Sequence, residues 1–378
     1  MNFGATSELL EALSTVRVTS WITPINLVQV RKDVVAAVTN GRELVPRWEY
    51  HEVDFTSPRD QLMGVMGRSS EWQSGFPYLD EELDAQLQRS LNTVNEIRRR
   101  EDASFTRWSV SNFGTPTAVT QEYAARILAD HPQGADRAPE PELRSSYSGD
   151  DAAALIRAAL DNYGLEDWRV KVRPSMAARM SVLTSRRTVS IDDSSQFSSA
   201  ELVRLLVHEV GTHVLRAANS WSQPLSTACI GLGDSVPTEE GLATWNENEF
   251  GVSQPFNWLQ YACRVLAVGS AASHGVVEVA RELEPILGVD AAASIAIRVK
   301  RGLRDPNAPG GFTKDHGYLT GYLSVTEHLK NRPADYSLLM STKWPLELLP
   351  LAQDLLAEGV LTDAGLRPDR EKLGLPST

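Results

Sequence analysis

Two of the chain's seven histidines lie in the string His208, Glu209, Val210, Gly211, Thr212, His213. Zinc hydrolases pair a metal-binding histidine with a second one four residues on, about 40° around a helix, with a glutamate between them as general base. Here the offset is five, which in a regular helix turns His213 about 140° away from His208. A π-type turn closes i→i+5 hydrogen bonds and stacks residues five apart, and such bulges are frequent at functional sites. Gly211, poor in a helix interior, lowers the steric obstacle to that distortion. The spacing therefore predicts an irregular turn at Gly211 if the two imidazoles share an ion. If they do not, they are ordinary polar residues on a core helix.

A hydrolytic zinc site needs three protein ligands and room for water. The third ligand is sought in TEEGLATWNENE, where Glu239, Glu240, Glu247 and Glu249 recur on another expected helix. Small, apolar Gly241, Leu242 and Ala243 behind Glu240 permit close approach to the first helix. Glu247 is equally placed to accept a hydrogen bond from a ligand histidine, or to be a surface carboxylate. Periodicity does not rank these glutamates. Glu209, beside His208, is the natural general base: a carboxylate next to a Lewis acid accepts the proton of the attacking water and passes it to the leaving amine. Its bland alternative is a salt-bridge partner on a helix face.

These residues need a firmly held helix, and the chain contains one. Ser198 followed by Glu201 has capping-box spacing, and Leu202, Val203, Leu206, Val207 and Val210 supply an apolar face. Upstream, WRVKVRPSMAARMSVLTSRRTVSIDD reads as two or three strands. Proline, glycine, serine and charge concentrate near 132–149, marking an exposed loop or boundary. Residues 81–105 are expected to form a helix with sparse apolar positions, solvated or interdomain, and VPRWEY a short extended run. The rest, including the C-terminal part, reads as helices.

With 378 residues, 42% of them hydrophobic and 23% charged, the chain can bury a sizeable core as one large or two ordinary domains. A net charge of −12, from 37 basic and 49 acidic residues, argues against nucleic acid and anionic membranes as partners. Two cysteines, Cys229 and Cys263, make no disulfide framework. No apolar run reaches transmembrane length and the N-terminus does not read as a signal peptide, so a soluble, cytoplasmic protein is expected.

HEVGTHVLRAAN at 208–219, PTEEGLATWNE at 237–247, RVLAVG at 264–269 and GGFTKDHGYLTG at 310–321 resemble, in the same order, the QEGLA-motif metallopeptidase family. Its animal members are tyrosine carboxypeptidases that detyrosinate microtubules. The resemblance extends over most of the chain. It implies His208 and His213 as metal ligands, Glu209 as catalytic glutamate, Glu240 as third ligand, and one Zn2+ per chain. Glu239 stands where the family has glutamine, placing an added charge beside the metal or out in solvent. Ser220 stands after Asn219 where glycine is expected, which bears only on a local turn.

The fold implied is mainly α with a small β component (α+β), a zincin-like metallopeptidase core built on the active-site helix. Residues 1–149 form a mostly helical N-terminal region and 150–378 the catalytic domain. The function implied is zinc-dependent peptide-bond hydrolysis by a carboxypeptidase releasing a C-terminal residue, aromatic by analogy. The competing readings are an amidase or peptidase acting on a small peptide-like molecule, and a non-catalytic, metal-stabilised binding protein. A carboxypeptidase needs a cation for the terminal carboxylate, for which Lys314, Arg264, Arg298 and Arg301 are candidates. Tyr318 or Tyr322 is suited to donate to the oxyanion. His316 and His274 read as surface or capping residues.

Overall fold

The structure, a computed structural model, describes residues 3–41, 47–68, 74–99, 101–130, 147–174, 176, 178–225 and 229–376. Most of these residues are helical, with a single small sheet of three strands among them. The expected boundary near 132–149 falls almost entirely outside the described residues, as does the start of the VPRWEY segment. Residues 47–50 take no part in a strand. Among the described residues no helix is long and apolar enough to cross a membrane.

The sheet runs in the order β1 (Arg169–Arg173), β3 (Thr188–Asp192), β2 (Met180–Leu183). β1 pairs parallel to β3, Val170 opposite Val189, and β2 pairs antiparallel, Met180 opposite Ile191. Every residue of the central strand β3 is buried, because the capped helix Gly149–Asn162 packs on the sheet beside β1 and β3. From β3 the chain turns through Ser198, whose side chain accepts from the Glu201 backbone N–H while Glu201 reaches back to the Ser198 N–H. This reciprocal cap starts the helix that carries the two histidines, and β2 packs against its π segment.

That helix continues from Ser199–Leu205 through a π segment, Leu206–Val214, into Leu215–Ser222. Residues 205–220 are all buried, so it is a central strut rather than an amphipathic surface helix. No turn interrupts it at Ser220, whose hydroxyl lies 2.6 Å from that of Thr342. Around it, one apolar core draws on residues from Leu9 to Leu375, on both sides of position 149. A second cluster, with Val34, Val268, Ala280, Leu283 and Ala296, joins the helix Leu27–Asn40 to the helices Pro255–Ala271, Val276–Leu287 and Val289–Lys300.

The segment expected to be a sparse, solvated helix is instead well packed. Helix Pro77–Arg99 buries Leu79, Leu83, Leu87, Val94 and Ile97, with Ser90 and Thr93 completing the stripe. Thr93 earns its interior place by accepting a hydrogen bond from the Trp108 indole at 3.1 Å, a pairing that periodicity of apolar residues alone misses. Both cysteines are free and buried.

Candidate metal centre

The five-residue histidine spacing is resolved by the π segment. Thr212 Oγ1 donates to the Val207 carbonyl five residues back, and the imidazoles of His208 and His213 come together with ring centroids 4.9 Å apart. Gly211 does not occupy the left-handed region. What it supplies is room: a Cβ there would lie 3.3 Å from both Leu373 Cδ1 and Pro368 Cβ of the C-terminal segment pressed on the helix.

Glu240 reaches this pair from the helix Ser235–Glu249. Its Oε2 lies 3.7 Å from the Nε2 of His208 and 3.7 Å from the Nε2 of His213. One donor atom from each residue lies within 4.8 Å of the others. Ligands about 2.1 Å from a tetrahedral ion stand about 3.4 Å apart, so the two separations from Glu240 are within a few tenths of an ångström of those in a metal cage. Glu240 Oε2 is buried and has no hydrogen-bond partner, while Lys314 pairs with the other oxygen at 3.1 Å. A buried, unpartnered carboxylate oxygen is costly, and a cation between the imidazoles would satisfy it. His208, His213 and Glu240 can therefore hold a metal ion.

Glu240 can enter so deeply because its helix crosses Gly317–Asn331 backbone to backbone. A Cβ on Gly241 would fall 2.1 Å from the Gly321 carbonyl carbon, and one on Gly321 would fall 1.8 Å from the Pro237 oxygen. Only glycine at both positions allows that crossing.

Behind each imidazole stands a carboxylate. His208 Nδ1 meets Glu247 Oε1 at 2.6 Å, and His213 Nδ1 meets Glu239 Oε1 at 2.7 Å. Such partners keep the Nδ1 proton and aim the Nε2 lone pairs at the centre. Both carboxylates are anchored in turn. Glu247, fully buried, accepts from Arg204 at 2.7 Å and from the Tyr261 hydroxyl at 3.0 Å. Glu239 is held by Arg216, and by Lys343 at 2.9 Å. Burial pushes the carboxyl pKa values of Glu239 and Glu247 up, but these cations outweigh it and keep both below the ordinary range. Burial likewise works against a charged His208, yet Glu240, Glu247 and Glu209 lift its pKa to about 9. The surroundings thus favour positive charge between the imidazoles, which a divalent ion would supply in place of the proton. Glu239, the acid where glutamine was expected, is a buried histidine partner and does not face solvent.

Glu209 is 8% exposed, and among the described residues no hydrogen bond or ion pair engages its carboxylate. The Tyr318 ring stacks on His208 at 6.1 Å and on Tyr261 at 5.5 Å, and burial raises its phenol pKa so that it keeps its proton. Tyr322, one turn on, packs edgewise on Trp258 at 4.8 Å, away from the imidazoles. Arg264 lies over the Tyr318 ring at 4.2 Å. Arg298 grips Asp315 with two hydrogen bonds of 2.6 and 2.9 Å, and Arg301 lies over Phe312. His274 is exposed, whereas His316 is buried and bridges Thr320 and the Phe113 carbonyl.

Arg204, Arg216 and Lys343 went unnoticed in the sequence. For the two arginines there was a signal: each interrupts an otherwise buried apolar helix, one turn before His208 and three residues after His213, where a cation must have a buried partner. Lys343 has no such local mark.

The family model described as microtubule-associated tyrosine carboxypeptidase matches residues 38–373. Microtubule-associated tyrosine carboxypeptidase 1 of Rattus norvegicus and of Homo sapiens are each 34% identical over 169 residues, 43% of this chain and 35% of theirs. The Mus musculus protein of the same name is 33% identical over the same length. The matched part of the chain spans about a third of the length of these curated relatives.

Proposed function

The chain belongs to the microtubule-associated tyrosine carboxypeptidase family, and from that membership and the geometry of the site we propose that it is a zinc-dependent peptidase that removes the C-terminal residue of a peptide or protein. The observation that carries this reading is the buried, unpartnered Oε2 of Glu240 between two imidazoles whose far nitrogens are held by carboxylates. Nitrogen and oxygen donors with a second ring of carboxylates suit zinc.

His208, His213 and Glu240 would hold the ion. Bound there, zinc would polarise the scissile carbonyl and make water a better nucleophile. Glu209 then accepts a proton from the attacking water as its oxygen bonds to the carbonyl carbon. The same carboxyl returns the proton to the amide nitrogen as the C–N bond breaks, and the second water proton passes from the new carboxylic acid to the amine, releasing an ammonium and a carboxylate. The Tyr318 hydroxyl, kept protonated by burial, donates to the oxygen that gains charge during attack. Aromatic packing around Tyr318, Tyr261 and Trp258 keeps this side of the site dry, where such bonds count for more.

Mass spectrometry of a peptide library varied at its last residue tests the reading. The zinc-loaded protein should shorten members by one residue, with an aromatic last residue preferred. Glu209→Gln should bind zinc as before and lose activity by about 10²-fold or more. Full turnover by zinc-loaded E209Q would reject the base, and cleavage only at internal bonds would reject the carboxypeptidase reading.

A further inference from the structure

The helices Pro255–Ala271 and Val289–Lys300 and the turn Thr313–His316 bring three arginines around one carboxylate. Asp315, 2% exposed, is gripped by Arg298 and also feels the charges of Arg301 and Arg264. Arg301 is 3% exposed with a buried, unpartnered Nε. Arg264 is less matched still: its Nε and Nη1 are both buried and without a hydrogen-bond partner, and its described contacts are the faces of Tyr318 and Tyr261. Lys314 is engaged by Glu240. Three cations share one anion, and guanidinium nitrogens buried without a partner are unfavourable unless another anion arrives.

Resting on the carboxypeptidase reading, we infer that Arg264 is the residue that binds the substrate's terminal α-carboxylate, with Asp315 and Arg298 holding the neighbouring charge in place. The Tyr318 ring neighbours both, its centroid 4.2 Å from the Arg264 guanidinium carbon and 6.1 Å from the His208 ring centroid, so the guanidinium is no farther than about 10 Å from the His208 ring. One extended residue spans about 3.5 Å, and a carboxylate–guanidinium bond adds about 2.8 Å, so a cation reading the last carboxylate belongs roughly 6–9 Å from the polarising ion. The bound of about 10 Å admits that spacing, and the planar fork of Arg264 suits a carboxylate better than the point charge of Lys314. Arg298 has both faces of its fork committed to Asp315 and is left as a positioning residue.

The test compares wild-type, R264Q and R264K proteins, zinc-loaded, in two arms. In the first, kcat/KM is measured for one peptide as free acid and as C-terminal amide. Wild type should prefer the acid, R264Q should lose about 10- to 100-fold of that preference, the span of a charge-assisted hydrogen bond, and R264K should recover part of it. In the second, calorimetry follows N-acetyl-tyrosine and its amide, and R264Q should weaken the acid by a similar factor. The melting temperature of R264Q should change little, because Arg264 is half-buried and its Nε and Nη1 make no hydrogen bond that the substitution could break. An undiminished acid preference in R264Q, in both arms, would overturn the role of Arg264 and leave the carboxypeptidase reading standing. Wild type cutting acid and amide equally would overturn that reading, while the calorimetric arm still decides the arginine. Undiminished cleavage of an amidated peptide ending in glutamate would show that a side-chain carboxylate is read instead.

Discussion

The crossing of Ser235–Glu249 over Gly317–Asn331 is the contact on which the site's geometry depends most, and a single methyl group tests it. In Gly321→Ala the new Cβ would lie 1.8 Å from the Pro237 oxygen and 3.0 Å from the Gly241 Cα, where ordinary contact begins at 3.4 Å. Every atom it meets is backbone, so no side chain can swing aside. The helices must part by more than about 1 Å, at a cost of about 3 kcal/mol or more, at the upper end for overpacked interiors. One of these helices carries Glu239, Glu240 and Glu247 and the other carries Tyr318, so the same displacement pulls Glu240 and the proposed oxyanion donor Tyr318 from the imidazoles. A misplacement of about 1 Å can lower turnover by about 10²-fold. G321A should therefore melt below wild type, bind zinc more weakly and lose most activity. Gly269→Ala is the control: nothing lies within 4 Å of a Cβ there, and alanine in a helix interior should raise stability by about 0.5–1 kcal/mol. A G321A protein with wild-type melting temperature and zinc affinity would refute the account of the crossing.

Three further outcomes are expected. Glu247→Gln leaves Arg204 with a buried, uncompensated charge and His208 without its carboxylate, costing about 3–5 kcal/mol of stability and about 10- to 100-fold in zinc affinity. Adding Arg204→Met should restore stability in thermal melts but not the affinity measured by chelator competition; recovery of both would place Glu247 outside the metal centre. Chelation should lower the melting temperature and zinc should restore it, by about 4 kcal/mol of added stability at a thousand times the dissociation constant, and indifference to both would argue against a folded-state metal site. Burial pushes the Asp315 carboxyl up, yet Arg298, with Arg301 and Arg264, holds it below its ordinary value of 3.8. A depressed carboxyl contributes stability above that value and loses it as pH falls through the folded-state pKa, so Asp315→Asn should be less stable than wild type at pH 7 with a flatter acid limb. Parallel acid limbs in the two proteins would contradict the ion pair.

Interactions that close within one helical turn or one hairpin were legible in the chain itself. The Ser198–Glu201 cap, the strand character of RVKV and TVSI and the placing of both histidines on one helix depend on neighbours within about five residues. The five-residue offset already required an irregular turn if the imidazoles were to meet, and the π segment supplies it. Glu239, Glu240, Glu247 and Glu249 stood equal by periodicity, because the residues themselves say nothing of which imidazole nitrogen each carboxylate meets. That choice belongs to the angle and depth at which two helices cross, set by Gly241, Gly321 and Pro237, residues up to 84 positions apart. Charge compensation is longer in range still. Lys343 reaches Glu239 from a distant loop, and Arg264 on one helix and Arg298 and Arg301 at the end of another act on Asp315, so only the packed chain decides which cations are neutralised and which remain to meet an anion.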